Sequence, residues 1–164
     1  MAKIFNGLTK LSSLDLSNFN TSSVTDMSEM FRNCHNLKIL TFSSKFVTKK
    51  VKTMYRMFDS DFSLTQLDLS IFDTSNVENM NAMFYECNSL TSIDVSKFNT
   101  SKVTDLSALF WGCTSLKEID VSHFDTRKSE YLSTMFYNCH TLTSLDISNF
   151  NFSSATTIMQ MFYN

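Results

Sequence analysis

The chain has 164 residues, 43% of them hydrophobic and 16 of them Phe, which is enough to build a real core in one domain. A net charge of −2 excludes a basic nucleic-acid footprint and an acidic tail, and no apolar run approaches the ~18 residues of a membrane span. Pro is absent and Gly occurs only at Gly7 and Gly112, so collagen-like, linker and hairpin-rich chains are excluded, because such turns need glycine.

One pattern runs from end to end. An aliphatic–Phe pair recurs as Ile4-Phe5, Met30-Phe31, Met57-Phe58, Met83-Phe84, Leu109-Phe110, Met135-Phe136 and Met161-Phe162, with successive Phe residues 26 or 27 apart. A fixed period of this length makes each unit one supersecondary piece that buries its apolar face by stacking on its neighbours. Each unit begins with a Leu-x-Leu type of alternation, which predicts half-buried strands around residues 14–16, 40–42, 67–69, 93–95, 119–121 and 145–147. A Thr-Ser step follows in most units. Beyond it, apolar residues fall at i, i+3, i+6 and i+7, as in Ser75–Phe84, which predicts a short helix. Ser75 and Glu78 have capping-box spacing. Residues 43–52 depart from the pattern: one extra residue lies between Phe42 and Phe46, and Lys49 and Lys50 occupy the helix entry, so the helix there is expected to start late or form poorly. The expected fold is an α/β repeat, a solenoid with one parallel β-sheet of about six strands and short helices on the other face. Equivalent side chains then form ladders about 4.8 Å apart. Two ladders are wholly aromatic: the seven Phe residues of the pairs, and Phe19, Phe46, Phe72, Phe98, Phe124 and Phe150.

The string Leu14-Asp15-Leu16-Ser17-Asn18-Phe19-Asn20-Thr21-Ser22-Ser23-Val24-Thr25-Asp26-Met27-Ser28-Glu29-Met30-Phe31 resembles the BspA-type leucine-rich repeat, the variety also seen in mycoplasma lipoprotein-type surface proteins. The resemblance covers essentially all of the chain. It implies a leucine-rich-repeat solenoid and a cell-surface or secreted protein used in adhesion, and it brings no catalytic motif. Departures stand at Leu8 and Asp61 in place of Cys, at Ser129 and Ala155 in place of Val, and through residues 43–52. Met1 falls in register with Met27, Met54 and Met80, so the chain reads as about six units of a longer array, entered part-way through a repeat.

Candidate sites are read against these columns. Cys34, Cys87, Cys113 and Cys139 share one column, three residues after the Phe. A ladder spreads ligands along an axis, whereas zinc needs four on one point, so buried free thiols and no metal are expected. His35 and His140 share a column four units apart and His123 lies elsewhere, which assembles no nucleophile–base pair. Asp15, Asp68, Asp94, Asp120 and Asp146 form an acidic ladder beside Ser17, Ser70, Ser96, Ser122 and Ser148. Its repulsion is offset either by hydrogen bonds from those serines and backbone amides or by a cation or ligand bound on the concave face. Asn20, Asn99 and Asn151 begin glycosylation sequons, but Asp73 and Asp125 fill the same slot, as a turn or helix-entry residue would.

Two features break the period and are the better functional candidates. Lys45, Lys49, Lys50 and Lys52, with Arg56, gather in the unit with the extra residue, as a solvated bulge or as a dock for an acidic partner or polyanion. Tyr85, Trp111, Tyr137 and Tyr163 follow the Phe in four consecutive units where Arg32 and Asp59 stand earlier, either as an exposed stripe for protein or glycan contact or as packing between coils. Ladders repeat one chemistry, whereas catalysis needs different groups converging. The reading is therefore a non-enzymatic macromolecule-binding or adhesion module without cofactor. Its partners would be a protein or glycan on another surface, or copies of itself, and not nucleic acid. The competing reading is a structural block whose solenoids assemble into a fibre, coat or scaffold.

Overall fold

Ring stacking sets the pitch of the molecule. In the computed structural model, which describes residues 1–164, the rings of Phe5, Phe31, Phe58, Phe84, Phe110, Phe136 and Phe162 form a single column. Neighbouring centroids are 5.3 to 6.0 Å apart and the planes lie within 17° of parallel. Each turn of the solenoid thus advances by about one strand spacing. A single cluster of 38 buried side chains fills the interior from Leu16 to Met161. Each buried Phe or Leu contributes roughly 1.5–3 kcal/mol of transfer free energy, so these columns dominate stability.

The predicted helices are absent, and the pitch explains why. Helices side by side need 8–10 Å, roughly one and a half times the spacing that the Phe column imposes. Residues 54–60 show what replaces them. Met54, Arg56, Phe58 and Ser60 donate their N–H groups to the carbonyls of Asn79, Asn81, Met83 and Tyr85 in the next coil, at 2.8 to 3.0 Å. Between them, Met57 and Asp59 bond back three residues, to Met54 and Arg56, at 3.1 and 3.3 Å. One amide in two faces the neighbouring coil, a demand no α-helix can meet because it bonds its amides internally. The chain reaches this geometry with left-handed φ at Arg56 (51°) and Ser60 (63°), and the same two positions recur as Glu29 and Asn33, Ala82 and Glu86, and Ala108 and Gly112. A chain of parallel bridges, Asp26–Thr53–Asn79–Asp105–Tyr131–Thr157, opens this segment in every coil.

The expected six-stranded sheet is also corrected. Only β1 (Ser13–Asp15) and β2 (Ile39–Thr41) form, paired in parallel with Leu14 opposite Leu40, and a lone bridge joins Ser92 to Glu118. The Leu-x-Leu alternation nonetheless buries Leu67 and Leu69, Ile93 and Val95. A period of two reports which side chains face inward; it does not oblige the backbone to pair.

Short polar side chains build the corners. The Asp15, Asp68, Asp94, Asp120 and Asp146 carboxylates each accept the amide two residues on, from the adjoining serine, at 2.8 to 2.9 Å. Hydrogen bonding by the serines therefore satisfies the acidic ladder and holds these carboxyls below their ordinary range. Asn20, Asp73, Asn99, Asp125 and Asn151 make the same Asx turn at the next corner. Beside them a buried column of threonines replaces a backbone ladder. The Thr100 hydroxyl donates to the Asp125 carbonyl at 3.1 Å and accepts the Asp125 amide at 2.8 Å, and Thr48, Thr74 and Thr126 do likewise.

The extra residue disturbs less than expected. Phe46 bonds back to Ser43 as Phe19 does to Leu16, and Phe42 packs between Phe46 and Phe72, at 4.5 and 5.3 Å. The next turn is regular: Val51 bonds to Thr48 at 2.8 Å, matching Val77 to Thr74 at 2.9 Å. Lys49 and Lys50 need cap no helix, so their charge does no harm there.

Candidate functional site

The residue after the Phe lies outside the buried Phe column: Tyr85, Trp111 and Tyr137 are only half-buried where Phe84, Phe110 and Phe136 are buried. In the last four coils that residue is aromatic, and the rings stack in one file. Tyr85 and Trp111 lie 4.4 Å apart at 6°, Trp111 and Tyr137 5.3 Å at 5°, and Tyr137 and Tyr163 5.0 Å at 16°. Tyr85, Trp111 and Tyr137 are half-buried and Tyr163 is 55% exposed. Each stacked pair contributes about 0.5–1.5 kcal/mol beyond its burial, so the stripe is stiff. Trp111 is covered on both ring faces, so what it offers a partner is its edge. Burial raises the Tyr85 phenol above its ordinary pKa, which keeps it a neutral hydrogen-bonding group.

The same column changes character toward the N-terminus. Arg32 Nε meets Asp59 Oδ2 at 2.8 Å and Arg32 Nη1 meets Glu29 Oε2 at 3.1 Å, while Lys3 reaches Glu29 at 3.2 Å. Ser60 Oγ donates to the other Asp59 oxygen at 2.7 Å, and the Arg56 guanidinium lies over the Tyr55 ring at 5.3 Å. An ion network and an aromatic stripe thus share one continuous column.

The predicted lysines lie on a different corner, after the second Phe column, and do not join the stripe. Lys45, Lys49 and Lys50 are exposed, and Lys52 is ion-paired with Glu78. The thiols are free and buried, each donating to the carbonyl of the Phe in the preceding coil at 3.1 to 3.2 Å. Burial pushes Cys34 and Cys139 up to about 12 and raises Cys87 and Cys113 as well, so none is a nucleophile near neutrality. His35 stacks on Phe62 at 4.7 Å, His123 Nε2 lies 3.0 Å from the Val95 carbonyl, and His140 is exposed.

The sequence marks Asp61 only as a departure from the Cys column, and the structure shows what that departure entails. Asp61 stands in the thiol column, fully buried; its Oδ1 accepts the Cys34 amide at 2.8 Å and its Oδ2 has no partner. Burial pushes this carboxyl up to about 9. A lone acid in a column of Cys and Leu was the available signal.

No helix is long and apolar enough to cross a membrane. The fold is that of bacterial leucine-rich-repeat proteins. A leucine-rich cell surface protein from Faecalibacterium prausnitzii matches 76% of the chain at 22% identity with a TM-score of 0.50, and the chain spans only 28% of that protein. A Treponema pallidum leucine-rich repeat protein matches 87% at 18% identity and a TM-score of 0.51, with 70% of its own length covered. One from Eubacterium ventriosum matches 83% at 16% identity and a TM-score of 0.51, with 39% covered. No curated protein matches the chain. A family model described as "Mycoplasma protein of unknown function, DUF285" matches residues 1–93 and again 88–164, so the repeat unit accounts for the whole sequence and the chain belongs to that family.

Proposed function

We propose that the chain is a non-enzymatic binding and adhesion module of a cell-surface or secreted repeat protein, and that it meets its partner through Tyr85, Trp111, Tyr137 and Tyr163. The stacked, half-exposed stripe carries this reading. It occupies a column whose residue type varies between coils, so packing of the repeat does not require aromatics there. Tyr and Trp bring large contact area at low entropic cost. Because Trp111 has no free face, a sugar ring cannot stack on it, and the edges favour a protein surface. The likeness to the Faecalibacterium cell surface protein supports the location.

The test is an array of immobilised extracellular-matrix proteins and glycans probed with the wild-type chain, with Trp111→Ala and with Trp111→Phe. A Trp111→Ala loss of about 2 kcal/mol, some 30-fold in affinity, is expected on the protein spots, with Trp111→Phe largely retained. Equal binding by Trp111→Ala would remove the stripe from the contact.

A structural role is the second reading. The end coils expose Ile4 and Leu8 at one face and Met159 and Phe162 at the other, at 42 to 71%, as surfaces another coil can cover. Sedimentation of the chain distinguishes the two: concentration-dependent growth favours assembly, and a monomer favours adhesion.

A further inference from the structure

We infer that the corner formed by Lys49, Lys50, Lys102, Arg127 and Lys128 is a second binding surface, separate from the aromatic stripe, and that the partner it fits is a linear acidic polysaccharide. In the sequence these cations are up to 79 residues apart. The coil register brings them to one edge. Lys50, Asn76, Lys102 and Lys128 fall in one column of successive coils, and Lys49, Ser75, Ser101 and Arg127 in the column beside it. The row spans three coil steps, roughly 15 Å at strand spacing.

The backbone that presents this row is held firmly. Asx turns at Asp73, Asn99 and Asp125 fix the corner in the three coils that follow Lys49 and Lys50, and the buried threonine column fastens each corner to the next. Side chains run along the edge as well: Asn76 Nδ2 donates to the Lys49 carbonyl at 2.8 Å, and Lys102 Nζ donates to Asn76 Oδ1 at 2.6 Å. The latter partner is neutral, so the Lys102 charge is not cancelled.

Charge on this corner runs against that of the whole chain, which is −2. Nearby acids take only part of it. Glu78 pairs with Lys52, and Asp125 pairs with Arg127 at 2.6 Å. Asp73 and Glu130 are the other two carboxylates on this edge, the first drawn down chiefly by hydrogen bonds from Ser75 and least by Lys49. Lys49, Lys50, Lys102 and Lys128 are exposed and enter none of the six salt bridges.

The class of partner follows from what lies between the cations. Ser75, Ser101 and Asn76 place hydroxyl and amide groups among the lysines, which suits a ligand carrying both anionic groups and hydroxyls. No aromatic side chain stands in either column to stack nucleobases, which disfavours a nucleic acid. A straight row with one position per coil matches a chain with regularly spaced charges better than the irregular patch of a folded acidic protein.

The experiment measures binding of the chain to heparin and chondroitin sulfate at 50 mM salt, with neutral dextran, poly-glutamate and single-stranded DNA as comparisons. Saturable binding to a sulfated chain is expected, weakening as salt is raised. K50Q/K102Q/K128Q should lose at least ten-fold in affinity with an unchanged melting temperature. K10Q/K38Q/K117Q, which removes the same charge elsewhere, should bind like wild type, as should Trp111→Ala. The proposal is overturned if neither sulfated chain binds, if both triple variants lose affinity equally, or if poly-glutamate or DNA binds as tightly as the sulfated chains. Since Trp111→Ala belongs to the other surface, either site can fail without the other.

Discussion

Replacing Asp61 with Cys should stabilise this protein at neutral pH and remove a pH dependence that the wild type carries. Asp61 sits where other coils have a thiol, with no accessible surface and one oxygen unpartnered. Its carboxyl is pushed from 3.8 up to about 9, chiefly by burial and further by the Asp59 charge, against the Cys34 amide bond that lowers it. The folded protein therefore holds a proton between pH 4 and 9 that the unfolded chain has released. Raising the pH through this window favours unfolding. The contribution of Asp61 is greatest below about pH 4, falls by up to about 1.4 kcal/mol per unit, and levels off above about pH 9. From pH 5 to pH 8 the loss is at most about 4 kcal/mol. In Asp61→Cys the sulfur can take the Cys34 amide and donate to the Phe31 carbonyl, as Cys87 does to Phe58. Asp61→Asn tests the same charge with a different shape. Urea unfolding of all three proteins at half-unit steps from pH 5 to 8.5 measures the difference. The gap between wild type and Asp61→Cys should widen with pH, and Asp61→Asn should share the flat profile. Parallel curves for wild type and Asp61→Cys would refute the buried proton. The Asp-Ser turns titrate below this window and act with the opposite sign, since their carboxyls are lowered.

Thr100→Val should cost about 2–4 kcal/mol in chemical unfolding, because it strips partners from both the Asp125 amide and the Asp125 carbonyl. Thr100→Ser keeps both bonds and should cost about 1 kcal/mol or less, so a Val variant as stable as wild type beside a weakened Ser variant would mean that the methyl group and not the hydroxyl matters. Gly112→Ala should destabilise by about 1–2 kcal/mol, since φ is +71° and the new Cβ would lie 3.3 Å from Glu86 Cγ. Gly7→Ala has the same left-handed backbone at +78° but open space around it, so its smaller loss in melting temperature isolates the contact with Glu86.

Much of this architecture is legible in the sequence, because a repeat reports on itself. The 26-residue period implies a stack, and the columns that never vary, such as Phe31 to Phe136, are the ones the structure buries. The exchange of Asn20 with Asp73 and Asp125 marks a turn, and the Asx bonds at all three confirm it. The aromatic stripe was visible as a column. That its rings lie face to face, leaving only edges for a partner, required the coordinates. The lysine row follows from the same period, since Lys50, Lys102 and Lys128 stand one or two repeats apart, but that these lysines are exposed and outside every salt bridge required the coordinates.

The helix prediction failed for a physical reason. Apolar residues at i, i+3 and i+7, as at Val77, Met80 and Phe84, fit a helix face and a run of three-residue turns equally well. The choice between them depends on the distance to the next coil, a quantity no single unit contains. Stacked Phe rings hold that distance to 5.3 to 6.0 Å, too close for neighbouring helices. Alternate amides are then turned outward to the adjacent coil, and the left-handed positions at Arg56 and Ser60 follow from that requirement. Sequence by itself determined the period and which side chains lie inside; stacking in three dimensions decided the backbone between them.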